Sequence, residues 1–140
     1  MSDTTITALK TTLLRVPWAG EPPANGIMPP AAREFLVLEI STRGGLTGMG
    51  YLQPLSGGLE TLNACLKEVV SPLVIGRDAT EIEAIWQSLW KANYWIGRMG
   101  IAVFCLSAVD IALWDIVGKK AGMPLYRLWG KARGEADAYG

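Results

Sequence analysis

Between residues 99 and 120 the chain carries a helix-length run that is apolar on nearly every side. A helix of that kind cannot sit on a surface; it has to be central and covered from several directions. Asp110 and Asp115 interrupt its most apolar part, residues 101–117. That stretch falls short of the roughly 18–20 residues of a membrane span, so a core helix is expected and no membrane partner. Lys119 and Lys120 lie in its last turn, where cations suit the helix dipole. Gly122 is placed to close it, and Pro124 lies just beyond, opening a short extra turn over 124–129.

The remaining residues supply the cover. Residues 6–16 favour a strand through Thr7, Thr11, Thr12 and Val16, ended by Pro17. Residues 18–32 hold Gly20, Pro22, Pro23, Asn25, Gly26, Pro29 and Pro30 and read as one long loop. Residues 33–42 read as a second strand, with Phe35, Val37 and Glu39 on one face and Leu36, Leu38 and Ile40 on the other. Arg43-Gly44-Gly45 is a hairpin turn, and residues 46–52 return as a third strand. Gly48 and Gly50 share one face of it, which implies a bulge or a close backbone approach. Then the period changes. Leu59, Leu62, Leu66, Val69 and Leu73 recur at helical spacing behind a possible Ser56 cap, and Pro72 limits the run. Thr80 and Glu83 have capping-box spacing, ahead of an apolar face of Ile82, Ile85, Trp86, Leu89 and Trp90. Residues 135–140 read as one last extended segment. The expected class is α+β: a three-stranded antiparallel meander followed by a three-helix bundle.

Composition excludes several functions. The 140 residues suffice for one domain with a real core. Thirteen basic residues against 13 acidic ones give no electrostatic footprint for nucleic acid. Histidine is absent, so no His base, Ser-His-Asp triad or His-bearing zinc site lies within these residues. Cys65 and Cys105 lack metal-ligand spacing and read as buried free thiols of a reducing, cytoplasmic compartment. No basic stretch followed by an apolar one opens the chain, so no secretory signal is expected.

Few side chains invite a chemical role. Asp110 and Asp115 are five apart on the central helix and so do not share a face. Asp115 is expected to pair with Lys119 at i,i+4, and Asp110 to bond backbone or an arginine across the domain interface. Gly48-Met49-Gly50 lacks the third glycine of a dinucleotide fingerprint, with Gln53 in its place. Gly57-Gly58 before a helix fits turn-and-cap duty better than anion binding. Trp86, Trp90, Trp95 and Trp114 read as core or interface residues, with too few basic residues between them for base stacking. No catalytic residue and no metal ligand is assigned.

One segment is far more specific. Ala108-Val109-Asp110-Ile111-Ala112-Leu113-Trp114-Asp115, followed by Gly118-Lys119, Gly122-Met123-Pro124-Leu125 and Gly130, closely resembles the N-terminal signature of the mandelate racemase/muconate lactonizing enzymes of the enolase superfamily. Leu36 to Ile40 with Gly45-Leu46-Thr47-Gly48-Met49-Gly50 is similar to that family's second and third strands, and Ile75-Gly76-Arg77-Asp78 to its link between the first two helices. The resemblance spans essentially the whole chain. It implies a capping domain over residues 1–134, with 135–140 opening the first strand of a (β/α) barrel that is itself absent. In the family that barrel holds Mg²⁺ and the bases that remove a proton from the carbon beside a carboxylate, and it needs roughly 250 residues. These 140 residues alone are therefore expected to be inactive.

The same resemblance singles out two loops that close over the barrel mouth and shape substrate preference. Here they carry Trp18, Glu21, Asn25 and Met28 in the first, and Tyr51, Gln53, Leu55 and Ser56 in the second. A long Pro/Gly loop is suited to act as a water-excluding lid. Tyr51 departs from the acidic residue many relatives carry after Gly-x-Gly. The implied parent is a homo-oligomeric, Mg-dependent enzyme acting on a small carboxylic acid, an acid-sugar dehydratase or a racemase/epimerase; the residues around Asn93 to Ile101 resemble the dehydratases. The alternative is a self-standing α+β binding or interaction domain.

Overall fold

A computed structural model of the chain describes residues 3–17, 19, 32–54 and 57–135. Three antiparallel strands, β1 (Ile6–Pro17), β2 (Ala32–Thr42) and β3 (Thr47–Leu52), form one sheet in the order β1-β2-β3. The meander is as expected. Thr42 closes the β2–β3 hairpin by accepting from the Leu46 amide with its hydroxyl, while Gly45 takes φ 84°, a conformation few other residues adopt cheaply. Leu36, Leu38 and Ile40 are fully buried, and their neighbours Phe35, Val37 and Glu39 lie half-buried on the opposite face.

The helices follow. α1 (Leu59–Cys65) runs into a widened π turn (Leu66–Val70) and then α2 (Ser71–Val74). Pro72 explains the widening: it has no amide hydrogen for the carbonyl four residues back, and its ring would strike that carbonyl. The wider turn corrects the expected apolar face. After Leu59, Leu62 and Leu66, the buried residues are Val70 and Val74, while Val69 is half-buried and Leu73 is 36% exposed. α1 starts behind Gly58 at φ 94° with no side-chain cap; the suggested cap, Ser56, is outside the described residues.

α3 (Ile82–Ala92) also begins differently from expectation. Thr80 and Glu83 form no capping box. Asp78 takes that place, accepting from the Thr80 amide and hydroxyl at 2.8 Å each and from the Thr4 hydroxyl at 2.7 Å. Asp78 sits two residues before Thr80, so its short side chain reaches the turn amide first, and Glu83 instead holds Gln87. The same link ties the helices to β1: Ile6 donates its amide to the Arg77 carbonyl and Gly76 returns one to Ile6.

α4 (Ile101–Ala121) is the central helix. It starts two residues later than expected, because Gly100 at φ 58° breaks helical geometry. Its 21 residues include an 18-residue window of mean hydropathy 2.0 and are long and apolar enough to cross a membrane, which corrects the expectation that this run falls short. The helix packs as a core element all the same. Cys105, Ala108, Ala112 and Ile116 are fully buried. Gly122 ends it in the left-handed conformation, with Met123 donating to Gly118 and Gly122 to Lys119, a Schellman closure. Short α5 (Leu125–Leu128) follows and brings Trp129 edge-on to Trp114 at 5.2 Å. Glu135 is not in a strand, and the rest of the expected final strand lies outside the described residues.

The two glycines of β3 are there for close approach. The β2–β3 register runs unbroken from Leu36↔Leu52 to Ser41↔Thr47, so no bulge is present. A Cβ on Gly48 would collide with the Ala112 carbonyl oxygen, and one on Gly50 with that of Ala108. Gly48→Ala and Gly50→Ala should each cost roughly 1–3 kcal/mol through overpacking, since the obstacle is backbone that cannot rotate away. Gly45→Ala meets nothing within 4 Å and carries only left-handed strain, roughly 1–2 kcal/mol. Urea midpoints for the three variants test this; parent-like midpoints for Gly48→Ala and Gly50→Ala would refute the close contact.

Candidate functional site

The register places the two candidate loops at one end of the sheet. Pro17 and Ala32, which flank residues 18–31, are paired with each other. Leu52, where β3 ends, is paired with Leu36 on the same central strand. Four residues of β2 therefore separate the two loop roots, about 13 Å at 3.3 Å per residue. Tyr51 is 59% exposed and lies opposite Val37, on the sheet face away from the helices. Gln53 is exposed and Pro54 is buried behind it. Trp18, Glu21, Asn25, Met28, Leu55 and Ser56 lie outside the described residues.

α4 holds β3 on the side toward the β2–β3 hairpin. Asp115 accepts the Met49 amide at 2.9 Å and the Lys119 ammonium at 2.8 Å, and Lys119 also donates to the Thr47 carbonyl at 2.7 Å. The expected Asp115–Lys119 pair is thus formed, and it reaches the outer edge of β3, which sequence spacing alone did not reveal. Gly118 gives α5 room: a Cβ there would lie 3.2 Å from Leu125 and from the Met123 carbonyl.

This architecture matches a known one. Residues 8–130 match the profile described as mandelate racemase / muconate lactonizing enzyme, N-terminal domain. The chain belongs to that family. It is 47% identical over 109 residues to a D-mannonate dehydratase of Xanthomonas oryzae pv. oryzicola, covering 77% of this chain and 26% of that protein. It is 46% identical over 110 residues to a D-galactonate dehydratase family member of Pseudarthrobacter chlorophenolicus, covering 78% and 26%. Among solved structures, a racemase from Streptomyces coelicolor A3(2) with bound magnesium superposes with TM-score 0.84 at 34% identity, over 89% of this chain and 35% of that one. The L-talarate/galactarate dehydratase of Salmonella typhimurium LT2, liganded with Mg and L-lyxarohydroxamate, gives 0.81 at 30% identity over 91% and 34%. The chain spans about a quarter of the length of the two dehydratases it matches in sequence.

For a mandelate racemase/muconate lactonizing N-terminal domain, the titratable groups are sparse and mostly structural. Among the described residues no three acidic or thiol side chains gather to hold a metal ion, so these residues do not fit a Mg²⁺ site. Asp110 comes nearest to an unusual group. Burial, then the facing Glu83 of α3, pushes its carboxyl above the ordinary value. Among the described residues no hydrogen bond joins the Asp110 side chain to backbone or to an arginine, and an arginine across the domain interface lies outside them. Its helix neighbours spend their amides within α4, while Arg77 is taken by Ser88 and Glu81, and Arg98 by the Trp90 carbonyl. Asp78 is shifted the other way. The Thr80 amide, then the Thr4 and Thr80 hydroxyls, hold its carboxyl low. Cys105 is buried and donates to the Leu62 carbonyl at 3.5 Å, Cys65 is half-buried, and burial pushes the Cys105 thiol up. A buried thiol held in its protonated form, as Cys105 is, is a poor nucleophile.

The tryptophans divide. Trp86 and Trp90 stack at 5.3 Å and pack on the core. Trp95 is 90% exposed and is no core residue, because it lies in the loop that ends at Gly97 and Gly100. Arg98 fastens that loop, its guanidinium 4.9 Å from the Trp90 ring centre and 5.2 Å from that of Tyr94.

Asp110 and Asp78, shifted in opposite senses, predict opposite pH effects. Asp110 binds its proton more tightly in the folded state, so its contribution is fully present at acid pH and is lost as pH rises through the window between the ordinary and the raised value. Asp78 contributes above the ordinary carboxylate range and loses that contribution as pH falls through its depressed value. Asp110→Asn should therefore stabilise the domain near pH 7 with a gain that vanishes near about pH 3.5, and Asp78→Ala should destabilise most near pH 7. Chemical denaturation at both pH values reads this. An Asp110→Asn gain that is equal at the two would show that Asp110 titrates normally.

Proposed function

We propose that this chain is the substrate-capping domain, residues 1–134 with 135–140 opening the barrel, of a cytoplasmic, homo-oligomeric acid-sugar dehydratase that removes the proton beside a carboxylate. The observation that carries the reading is the common origin of the two candidate loops at one end of a sheet braced by α4. Loops rooted together on a rigid unit are suited to shape one shared volume. Dehydration is favoured over racemisation by the sequence relatives, a D-mannonate dehydratase and a D-galactonate dehydratase family member. Racemisation or epimerisation is the second reading, supported by the Streptomyces coelicolor racemase.

The part taken by this chain's residues is binding and exclusion of water. Mg²⁺, which accompanies the relatives' structures, is assigned to the barrel, because the described residues offer no cluster for it. Tyr51 and Gln53, exposed beside the loop roots, are placed to meet the distal end of an acid and not its reacting carbon. Trp18, Glu21, Asn25, Met28, Leu55 and Ser56 are assigned to the same lining. Closing the mouth removes water and strengthens every polar contact inside.

Exposed apolar residues also support a covered domain over a self-standing one. Ile101, Phe104 and Ile111 form a stripe along α4, 39–51% exposed, and Trp129 and Leu128 are 59% and 36% exposed. Isolated monomers rarely leave such a surface open. Alone, the 140-residue chain should self-associate at micromolar concentration and turn over no carboxylic acid above a metal-free control. A concentration-independent monomer by sedimentation that binds no hydrophobic dye would favour the self-standing domain, and Mg-dependent turnover would refute the capping assignment. In a full-length enzyme, Tyr51→Ala and Trp18→Ala should change relative kcat/KM across a panel of acid sugars several-fold while leaving α-proton exchange largely intact. An unchanged order of preference in both would remove the loops from substrate selection.

A further inference from the structure

β3 is an edge strand of the sheet, so among the described residues its outer amides and carbonyls have no strand neighbour. Such an edge slips, frays or pairs with another chain unless something holds it. Here the Met49 amide is held by Asp115 and the Thr47 carbonyl by Lys119, and the two side chains are tied to each other. The same stretch of helix presents the Ala108 and Ala112 carbonyls to Gly50 and Gly48. The glycines fix how near the strand lies, and glycine itself offers no side chain to fix its position along the helix. The two hydrogen bonds supply that second coordinate. Tyr51 and Gln53 follow two and four residues beyond Met49, Tyr51 on β3 and Gln53 just past its end. From this geometry we infer that Asp115 and Lys119 are positioning residues: they clamp the free edge of β3 and so set the backbone from which Tyr51 and Gln53 project. The consequence for substrate choice rests on the capping reading above; the clamp itself does not.

Three variants separate the parts. Asp115→Leu removes the acceptor for Met49 and the partner of Lys119. Asp115→Asn keeps an oxygen for the Met49 amide. Lys119→Met releases only Thr47 and loosens Asp115. Amide exchange at Met49 in the 140-residue chain should be at least about tenfold faster in Asp115→Leu, and within about threefold of the parent rate in Asp115→Asn. Unchanged exchange in a folded Asp115→Leu overturns the clamp. If Asp115→Leu does not fold, Lys119→Met decides: exchange at Met49 rises severalfold if the pair holds the edge, and a parent-like rate overturns it. In a full-length enzyme, Asp115→Leu should raise KM for acid sugars severalfold with kcat within about twofold, and Asp115→Asn should restore KM. If Tyr51→Ala alters KM while Asp115→Leu does not, the edge is held without positioning the site and the inference fails. If Tyr51→Ala also leaves KM unchanged, the capping reading fails, and Met49 exchange still decides the clamp.

Discussion

The fold depends on one contact between backbones. α4 lies so close to β3 that Ala108 and Ala112 present their carbonyls where Gly50 and Gly48 would otherwise carry a Cβ. A helix with alanines and a strand with glycines at the crossing can approach closer than packed side chains permit. That closeness buries the middle of α4 and lets its later turns reach around to the strand edge. The sheet's inner face, Leu36, Leu38 and Ile40, then forms one core with Leu62, Leu66, Val70 and Ile85 from the other helices. Removing an atom from such a core leaves a cavity, and adding one at the crossing separates two rigid elements.

Much of this was legible because it is periodic. Alternation in β2 marked Leu36, Leu38 and Ile40 as the inward face, and the all-round apolar character of residues 101–117 marked the central helix. Gly48 and Gly50, two apart on a strand, signalled close approach, though the partner was invisible until Ala108 and Ala112 were placed against them. Local chemistry was read less well. Thr80 and Glu83 had the spacing of a capping box, but Asp78 competes for the same amide and wins by proximity. Pro72 was seen to disturb the first helix; that it widens the preceding turn, and so exchanges Val69 and Leu73 for Val70 and Val74 in the core, depends on how the chain relaxes around a missing hydrogen bond. Asp110 faces Glu83 within the domain, while Arg77 and Arg98 hold other groups, so an arginine for it would have to come from across the domain interface.

The candidate site was legible through resemblance more than through pattern. A Pro/Gly-rich segment announces a loop without saying what it faces. The register adds what pattern lacks, since Pro17 pairs with Ala32 and Leu36 with Leu52, so both loops spring from one end of the sheet. The signature residues also acquire individual reasons. Asp115 and Lys119 are bound to β3, Gly118 makes room for Leu125, and Trp114 meets Trp129. None of these roles is chemical, and each joins α4 to a neighbouring element.

This distribution has a consequence for how specificity and chemistry can be separated in an enzyme built on such a domain. There is no histidine here, and burial raises the Cys105 thiol. Of the perturbed carboxylates, Asp3 lies just before β1, Asp78 in the link before α3 and Asp110 on α4, all away from the loop roots. Substitutions at those roots therefore change shape and polarity without changing the protonation state of any reacting group. A loop end that is chemically silent yet mechanically fixed can vary its contacts with one end of a substrate while the reacting end is handled elsewhere. Fixing it mechanically is the demanding part, because an edge strand has only one neighbour to define its register. In this chain the second neighbour is a helix, through Gly48, Gly50, Asp115 and Lys119, and the stiffness of the α4–β3 crossing is what allows the loops beyond it to differ without the sheet following them.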